Sequence, residues 1–262
     1  MFRIATFNVN SVRARLPILL NWLESERPTV VCLQETKTQD VTFPADEIAA
    51  AGYHAVFAGE KSYNGVAVLS DQEIEVVQNG FADGGPADES RLIIARVGDV
   101  TICNSYVPQG RATDHPMFAY KLEWFARLRR MFETISSPSE PLIWCGDFNV
   151  APEPMDVHDP KRLLGHVCFH PDAHAALADV KTWGFTDVFR KHKPDPGEFS
   201  YFDYRVKNAI ERKVGWRIDH IWATQPVAER SVDAWIDLAP RQAERPSDHT
   251  PMLAEFDIGE LC

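Results

Sequence analysis

Side chains able to bind a hard cation or move a proton recur where apolar runs stop: Asn8, Glu35, Asp147, Asn149, Asp219, Asp248 and His249. They stand in Phe7-Asn8-Val9-Asn10, Leu33-Gln34-Glu35, Cys145-Gly146-Asp147-Phe148-Asn149, Arg217-Ile218-Asp219-His220 and Ser247-Asp248-His249. If each preceding run is a strand, one rim of a sheet gathers them all. Oxygen ligands with one imidazole and no thiol describe a magnesium or manganese site and not a zinc site.

Extended backbone through Gly146-Asp147-Phe148-Asn149 would turn Asp147 and Asn149 to one face and Phe148 to the other. Such an acid can orient and deprotonate a water while the amide donates to a developing anion. The competing reading is an Asx turn closing a strand, with both side chains bonded to their own backbone. Glu35, taken alone, reads as a solvated acid after an apolar strand, and Asn8 and Asn10 as turn residues. Asp219 resists that treatment, because residues 216–222 read as a strand whose bulky apolar context a charge interrupts, and a buried acid needs a partner. His249 is available, since a carboxylate bonded to imidazole fixes its tautomer and favours the protonated ring. Asp248 and His249 alone read as a loop or N-cap pair. Their joint occurrence with the other groups favours a site, by analogy with ligand binding at strand ends of open α/β sheets.

The elements that must position these groups are short. Val30-Val31-Cys32-Leu33, Gly65-Val66-Ala67-Val68-Leu69, Leu92-Ile93-Ile94-Ala95, Val100-Thr101-Ile102-Cys103 and Leu142-Ile143-Trp144-Cys145 have the length and β-branched content of buried strands. Leu16, Leu19, Leu20 and Leu23 predict a helix over about 14–26, with Pro17 in its first turn. Phe118, Leu122, Phe125, Leu128, Phe132 and Ile135 predict a longer one, and residues 173–183 a third, closed by Gly184. Residues 82–86 and 136–141 read as loops. Interleaved strands with a few helices suggest packed sheets with helices outside, an α/β sandwich.

The 262-residue chain is long enough for a large core, and 45% apolar residues place it in the globular class. A net charge of −11, from 27 basic and 38 acidic side chains, argues naively against a polyanionic partner. Clustered carboxylates around a bound cation weaken that argument. Five cysteines, with Cys32, Cys103 and Cys145 inside apolar runs, fit buried reduced thiols in a cytosolic protein. No secretory pattern precedes Phe2 and no apolar stretch nears membrane-spanning length, so a soluble, cytoplasmic protein is expected.

Seven motifs in order along essentially the whole chain resemble the exonuclease III family of class II abasic-site endonucleases, within the endonuclease/exonuclease/phosphatase superfamily. They are Asn8-Val9-Asn10, Leu33-Gln34-Glu35-Thr36-Lys37, Asn104-Ser105-Tyr106-Val107-Pro108-Gln109-Gly110, Gly146-Asp147-Phe148-Asn149, Phe199-Ser200-Tyr201-Phe202-Asp203-Tyr204-Arg205, Trp216-Arg217-Ile218-Asp219 and Pro246-Ser247-Asp248-His249. The resemblance implies one domain over residues 1–262, folded as a four-layered α/β sandwich of two mixed β-sheets face to face with helices outside. It implies a Mg2+ (or Mn2+) phosphodiesterase site with Glu35 as principal ligand and Asn8, Asp147, Asn149 and Asp248 close to the same or a second ion. By the same resemblance Asp147 activates the attacking water and Asn149 orients it. His249 contacts the scissile phosphate, Asp219 holds His249, and Tyr106 lies near the leaving oxygen. Arg91, Gln109 and Arg111 fall at DNA-backbone contacts, and Tyr201, Trp216 and Ile218 wall a pocket for an abasic sugar.

The implied partner is double-stranded DNA with abasic sites or 3′ ends, associated with the nucleoid, and the implied state is a monomer. Incision 5′ to an abasic site, 3′-to-5′ exonuclease and 3′-phosphatase activities follow. The alternatives are the same chemistry on RNA, a phospholipid or an inositol phosphate, and a non-enzymatic DNA-binding module. The aromatic segments 199–205 and 216–218 disfavour the first, and the filled catalytic positions disfavour the second. Departures from the family pattern are Tyr201 for the usual Trp or Phe, Met117 for Lys, Asn10 for an Asp of some relatives, and His220 for Tyr or Leu.

Overall fold

Along residues 142–145, Leu142 and Trp144 enter one core while Ile143 and Cys145 enter another. A strand buried on both faces needs no polar alternation, which is why the runs are continuously apolar. The structure is a computed structural model in which residues 1–259 are described. Residues 260–262, with Cys262 and the last residues of the expected domain, lie outside them.

The strands are β1 (Phe2–Asn8), β2 (Val30–Gln34), β3 (His54–Ala58), β4 (Val66–Ser70), β5 (Glu75–Asn79), β6 (Leu92–Val97), β7 (Val100–Tyr106), β8 (Leu142–Asp147), β9 (Phe185–Asp187), β10 (Asp219–Thr224), β11 (Ser231–Ile236) and β12 (Met252–Phe256). They form two six-stranded mixed sheets, ordered β11-β12-β1-β2-β4-β3 and β5-β6-β7-β8-β10-β9. Between them lies a core that takes Ile4, Val30 and Val68 from one sheet and Ile102, Ile143 and Ile221 from the other. The outer face of the first sheet packs Phe7, Val31 and Leu33 on Leu19, Trp22 and Leu23 of the helix Val12–Glu26. The outer face of the second packs Cys103, Trp144 and Trp222 on Trp124, Phe125 and Leu128 of the helix Pro116–Ile135 and Leu177 and Val180 of Pro171–Thr182. Helix, sheet, sheet, helix is the expected four-layered sandwich. No helix among the described residues is long and apolar enough to cross a membrane.

The helix expected at about 14 begins at Val12, because Ser11 caps it through Ala14 N–H. Pro17 is therefore inside the helix and not in its first turn. It takes the intrahelical partner from the Arg13 carbonyl, and both residues face solvent, where water can replace that bond. Cys32, Cys103, Cys145 and Cys168 are buried free thiols.

Candidate active site

The rim is built by strand direction. β1 and β2 run parallel, as do β7 and β8, each pair joined through a helix, so their C-terminal ends present Asn8, Glu35 and Asp147 together. β10 is antiparallel to β8 with Asp219 opposite Asp147, and β12 is antiparallel to β1. Asp219 and the loop carrying Asp248 and His249 thus reach the same rim from their N-terminal ends. This corrects the expectation that every group ends a run: Asp219 opens its strand. The expected strand over 216–222 starts late because Arg217 N–H donates to Asp156 O (2.8 Å), and Ser200 Oγ takes the N–H groups of Ile218 (3.3 Å) and Asp219 (3.2 Å). Trp216 instead bridges Val157 and Tyr201.

A second correction concerns Asn149. The strand stops at Asp147, and Asn149 takes left-handed backbone (φ 51°) with its N–H on Asp147 Oδ1 at 2.9 Å. The Asx turn forms through Asp147 alone, since the Asn149 amide bonds Val107 O and not its own backbone, and the turn delivers both side chains to one pocket. Gly146 lets β8 approach β7: a Cβ there would lie 1.9 Å from Ser105 O. One amide hydrogen of Asn149 is held by Val107 O (3.0 Å), which leaves the other for a ligand.

Asp219 Oδ2 pairs with His249 Nδ1 at 2.8 Å, and His249 Nε2 lies 3.9 Å from Asp147 Oδ2. Burial opposes charge on the ring, but Asp219, Asp147 and Asp248 outweigh it and raise His249 to about 10. Burial pushes Asp147 upward to about 7. Asp219 and Glu35 add to this, while His249 and an Asn8 hydrogen bond oppose it. Burial lifts the Tyr106 phenol well above its usual range, reinforced by the charges of Glu35 and Asp147, so it remains a donor.

Glu35, Asp147 and His249 each offer a ligand atom, all within 4.8 Å of one another. That donor set, and the excess of carboxylate around Asp147, fit a hard divalent cation. Asn8, expected as an oxygen ligand, also acts as a donor. Its Nδ2 donates to Glu35 Oε1 (2.8 Å) and Asp147 Oδ2 (2.9 Å), while its Oδ1 accepts from Asn10 N–H (3.0 Å), so it clamps the two acids across the sheets. Asn10 explains its own departure from Asp: Nδ2 donates to Asp248 Oδ1 (2.9 Å) while Oδ1 accepts from Lys37 Nζ (2.5 Å), and a carboxylate could only accept.

Above these groups opens a cavity of about 290 Å³ walled in part by Tyr201, Trp216 and Ile218, the three residues expected there. The Tyr201 ring stands edge-on to His249 with centroids 4.9 Å apart. Gln109 lines the cavity, and its Oε1 accepts from Arg111 N–H (2.7 Å), with Arg111 exposed beside it. Arg91 is placed otherwise than as a free backbone contact: it stacks 4.8 Å over the Tyr106 ring and donates to Tyr106 O (3.2 Å).

Sequence reasoning missed Lys37, paired with Glu35 at 2.7 Å, and His166, which lines the cavity 4.8 Å from the Trp216 ring. Lys37 was legible as the cation two residues from the acid; His166 carried no signal. The departure at His220 finds its reason in a buried cluster beneath the rim. Arg217 binds Asp156 (2.7 Å) and Asp187 (2.8 Å), and its Nη1 donates to His220 Nδ1 (3.0 Å), while His220 Nε2 donates to Val150 O (2.9 Å). Burial and Arg217 push His220 down to about 4, so the neutral ring accepts on one side and donates on the other.

Two face-to-face mixed sheets carry acids, imidazole and amide on one rim, and the relatives of this architecture are nucleases of the hydrolase class. The chain belongs to the endonuclease/exonuclease/phosphatase family, whose profile matches residues 5–249. It is 37% identical to "Exodeoxyribonuclease III" of Haemophilus influenzae, with 97% of this chain and 99% of that protein aligned. Among solved structures it resembles an AP endonuclease from Archaeoglobus fulgidus (TM-score 0.97, 48% identity, covering 98% of this chain and 100% of the other). It also resembles a 3′ phosphatase from Neisseria bound to product DNA hairpin (TM-score 0.93, 36% identity, covering 98% and 100%).

Proposed function

We propose that the chain, acting as one domain and as a monomer, is a Mg2+- or Mn2+-dependent DNA repair nuclease. It incises duplex DNA 5′ to abasic sites and trims 3′ ends by exonuclease and phosphatase action. One observation carries this reading: the Asp219–His249 pair and the Glu35–Asn8–Asp147 cluster form the floor of a cavity walled by Tyr201, Trp216 and Ile218. A charged imidazole, a carboxylate pair and an amide suit a phosphodiester, and a small wall of rings suits a sugar without its base.

His249, held protonated by Asp219, would bind a non-bridging oxygen of the phosphate. Asp147 accepts the proton of the attacking water, its proton affinity, raised by burial, being compatible with that work near neutral pH. Asn149 donates its free amide hydrogen to the developing charge. Tyr106, kept protonated by burial, is placed to donate to the departing oxygen. Glu35 and Asp147 would hold a divalent cation beside the charged His249, and the cation would supply charge neutralisation and make bound water more acidic.

Cleavage of a duplex with one synthetic abasic site, beside its intact control and a phospholipid, with and without chelator, tests the assignment. Magnesium-dependent nicking confined to the abasic duplex is expected. Cleavage of the phospholipid alone would overturn it.

A further inference from the structure

Lys121 lies on the core-facing side of the helix Pro116–Ile135 and is wholly buried, yet no carboxylate pairs with it among the described residues. Its ammonium has three N–H donors, and three backbone carbonyls take them: Asn149 O at 2.7 Å, Val167 O at 2.8 Å and Gln109 O at 3.2 Å. These carbonyls belong to three separate loops. One follows β7, one follows β8, and one leads into the helix Pro171–Thr182. Gln109, Asn149, and the neighbours of Val167, namely His166 and Cys168, all line the catalytic cavity. The carbonyl held most closely is that of Asn149, whose backbone is left-handed.

A charged group taken fully out of water is retained only where it is solvated by the protein. Three carbonyls satisfy that requirement here, and they fix the heights of three cavity walls against one rigid helix. We propose that Lys121 is a positioning residue for phosphodiester cleavage, a single buried ammonium that sets the relative placement of Asn149, Gln109 and the 166–168 wall. The inference deepens the nuclease reading and rests on it. Because a misplacement of about 1 Å can cost about 10²-fold in rate, the lysine governs the chemical step, and of the residues expected to contact DNA it holds only Gln109, by the longest of its three bonds at 3.2 Å.

Lys121→Met keeps length and removes the charge, and Lys121→Ala leaves room for an added amine. Single-turnover cleavage of an abasic duplex, DNA affinity in chelator and thermal melting would be measured for both, with bis(4-nitrophenyl) phosphate as a second substrate. The Met variant should melt above the assay temperature, bind DNA within about threefold of wild type and cleave about 100-fold more slowly. Methylammonium should restore the Ala variant at least tenfold and leave the Met variant unchanged. A folded variant within threefold of the wild-type rate overturns the proposal, as does an Ala variant insensitive to methylammonium. If both variants fail to fold, Lys121 serves the fold and the positioning role is rejected. A wild type inactive on abasic DNA but active on the simple diester would sink the nuclease reading alone, and the lysine would then be scored on the diester.

Discussion

Asp147 divides its two oxygens between jobs: Oδ1 closes the turn to Asn149 N–H and Oδ2 faces Asn8 and His249. Asp147→Asn keeps the shape but cannot take the water's proton, and Asn149→Ala removes a donor worth roughly 2.7–4 kcal/mol in comparable anion sites. Both should depress the single-turnover rate far more than DNA affinity; rates within tenfold of wild type would exclude the assigned roles. Asn149→Ala also strips the bond to Val107 O, and Asp147→Asn sets its amide N–H against a donor, Asn8 Nδ2 or Asn149 N–H, so a modest fall in melting temperature should accompany both. Glu35→Ala should weaken the metal and leave Lys37 to Asn10 alone, and raised magnesium should recover part of the activity. A titration of rate against magnesium reads this directly, and an unshifted midpoint would remove Glu35 from the ligand set.

At the scale of elements, the segment 216–218 and β10 carry both the cavity wall and the buried cluster beneath it. Arg217→Met would leave Asp187 without its cation in the interior and Asp156 with Arg190 alone, at a cost of roughly 3–5 kcal/mol. His220 sets a pH dependence. Its folded value is pushed down from 6.5 to about 4, so the unfolded chain takes up the proton first and stability falls as pH drops through that window. At about 1.4 kcal/mol per unit, the loss reaches about 3 kcal/mol near pH 4. Asp156 and Asp187, held below the usual carboxylate range by Arg217 against the effect of burial, keep their contribution above pH 4 and lose it only on further acidification. Urea unfolding of wild type and His220→Asn at pH 7.5 and 4.5 should show a smaller drop in the variant, and identical drops would refute this. Trp216→Ala, half-buried at the cavity wall, should depress abasic-site incision more than exonuclease action on duplex ends. Equal loss of both with a large fall in melting temperature would place Trp216 in the core instead.

For the whole molecule, the net charge of −11 opposes a polyanion at long range, so binding of DNA must rest on local cations such as Arg111. Log affinity for duplex DNA should fall linearly with log salt, by about 0.9 per phosphate contact. Arg111, exposed beside Gln109 at the cavity mouth, should account for one such contact, so Arg111→Ala should flatten the slope by about 0.9. An affinity indifferent to salt would contradict DNA as the substrate.

The sequence pattern alone determined packed sheets with helices outside, because strands buried on both faces must be written as continuous apolar runs and their helices as one-sided stripes, and the family resemblance supplied the four layers. It also marked the candidate side chains, since acids and amides end or interrupt apolar runs, while their roles came from the family resemblance. Tertiary structure decided what those side chains do to one another. Asp219 and His249 are thirty residues apart and meet at 2.8 Å only because β10 and β12 run against β8 and β1. Local sequence carries strand period but not strand direction or partner. For the same reason Asn8 as a clamp, Arg91 stacked on Tyr106, the neutral His220 and the three carbonyls around Lys121 were illegible before the fold was known: each role is set by atoms far away along the chain.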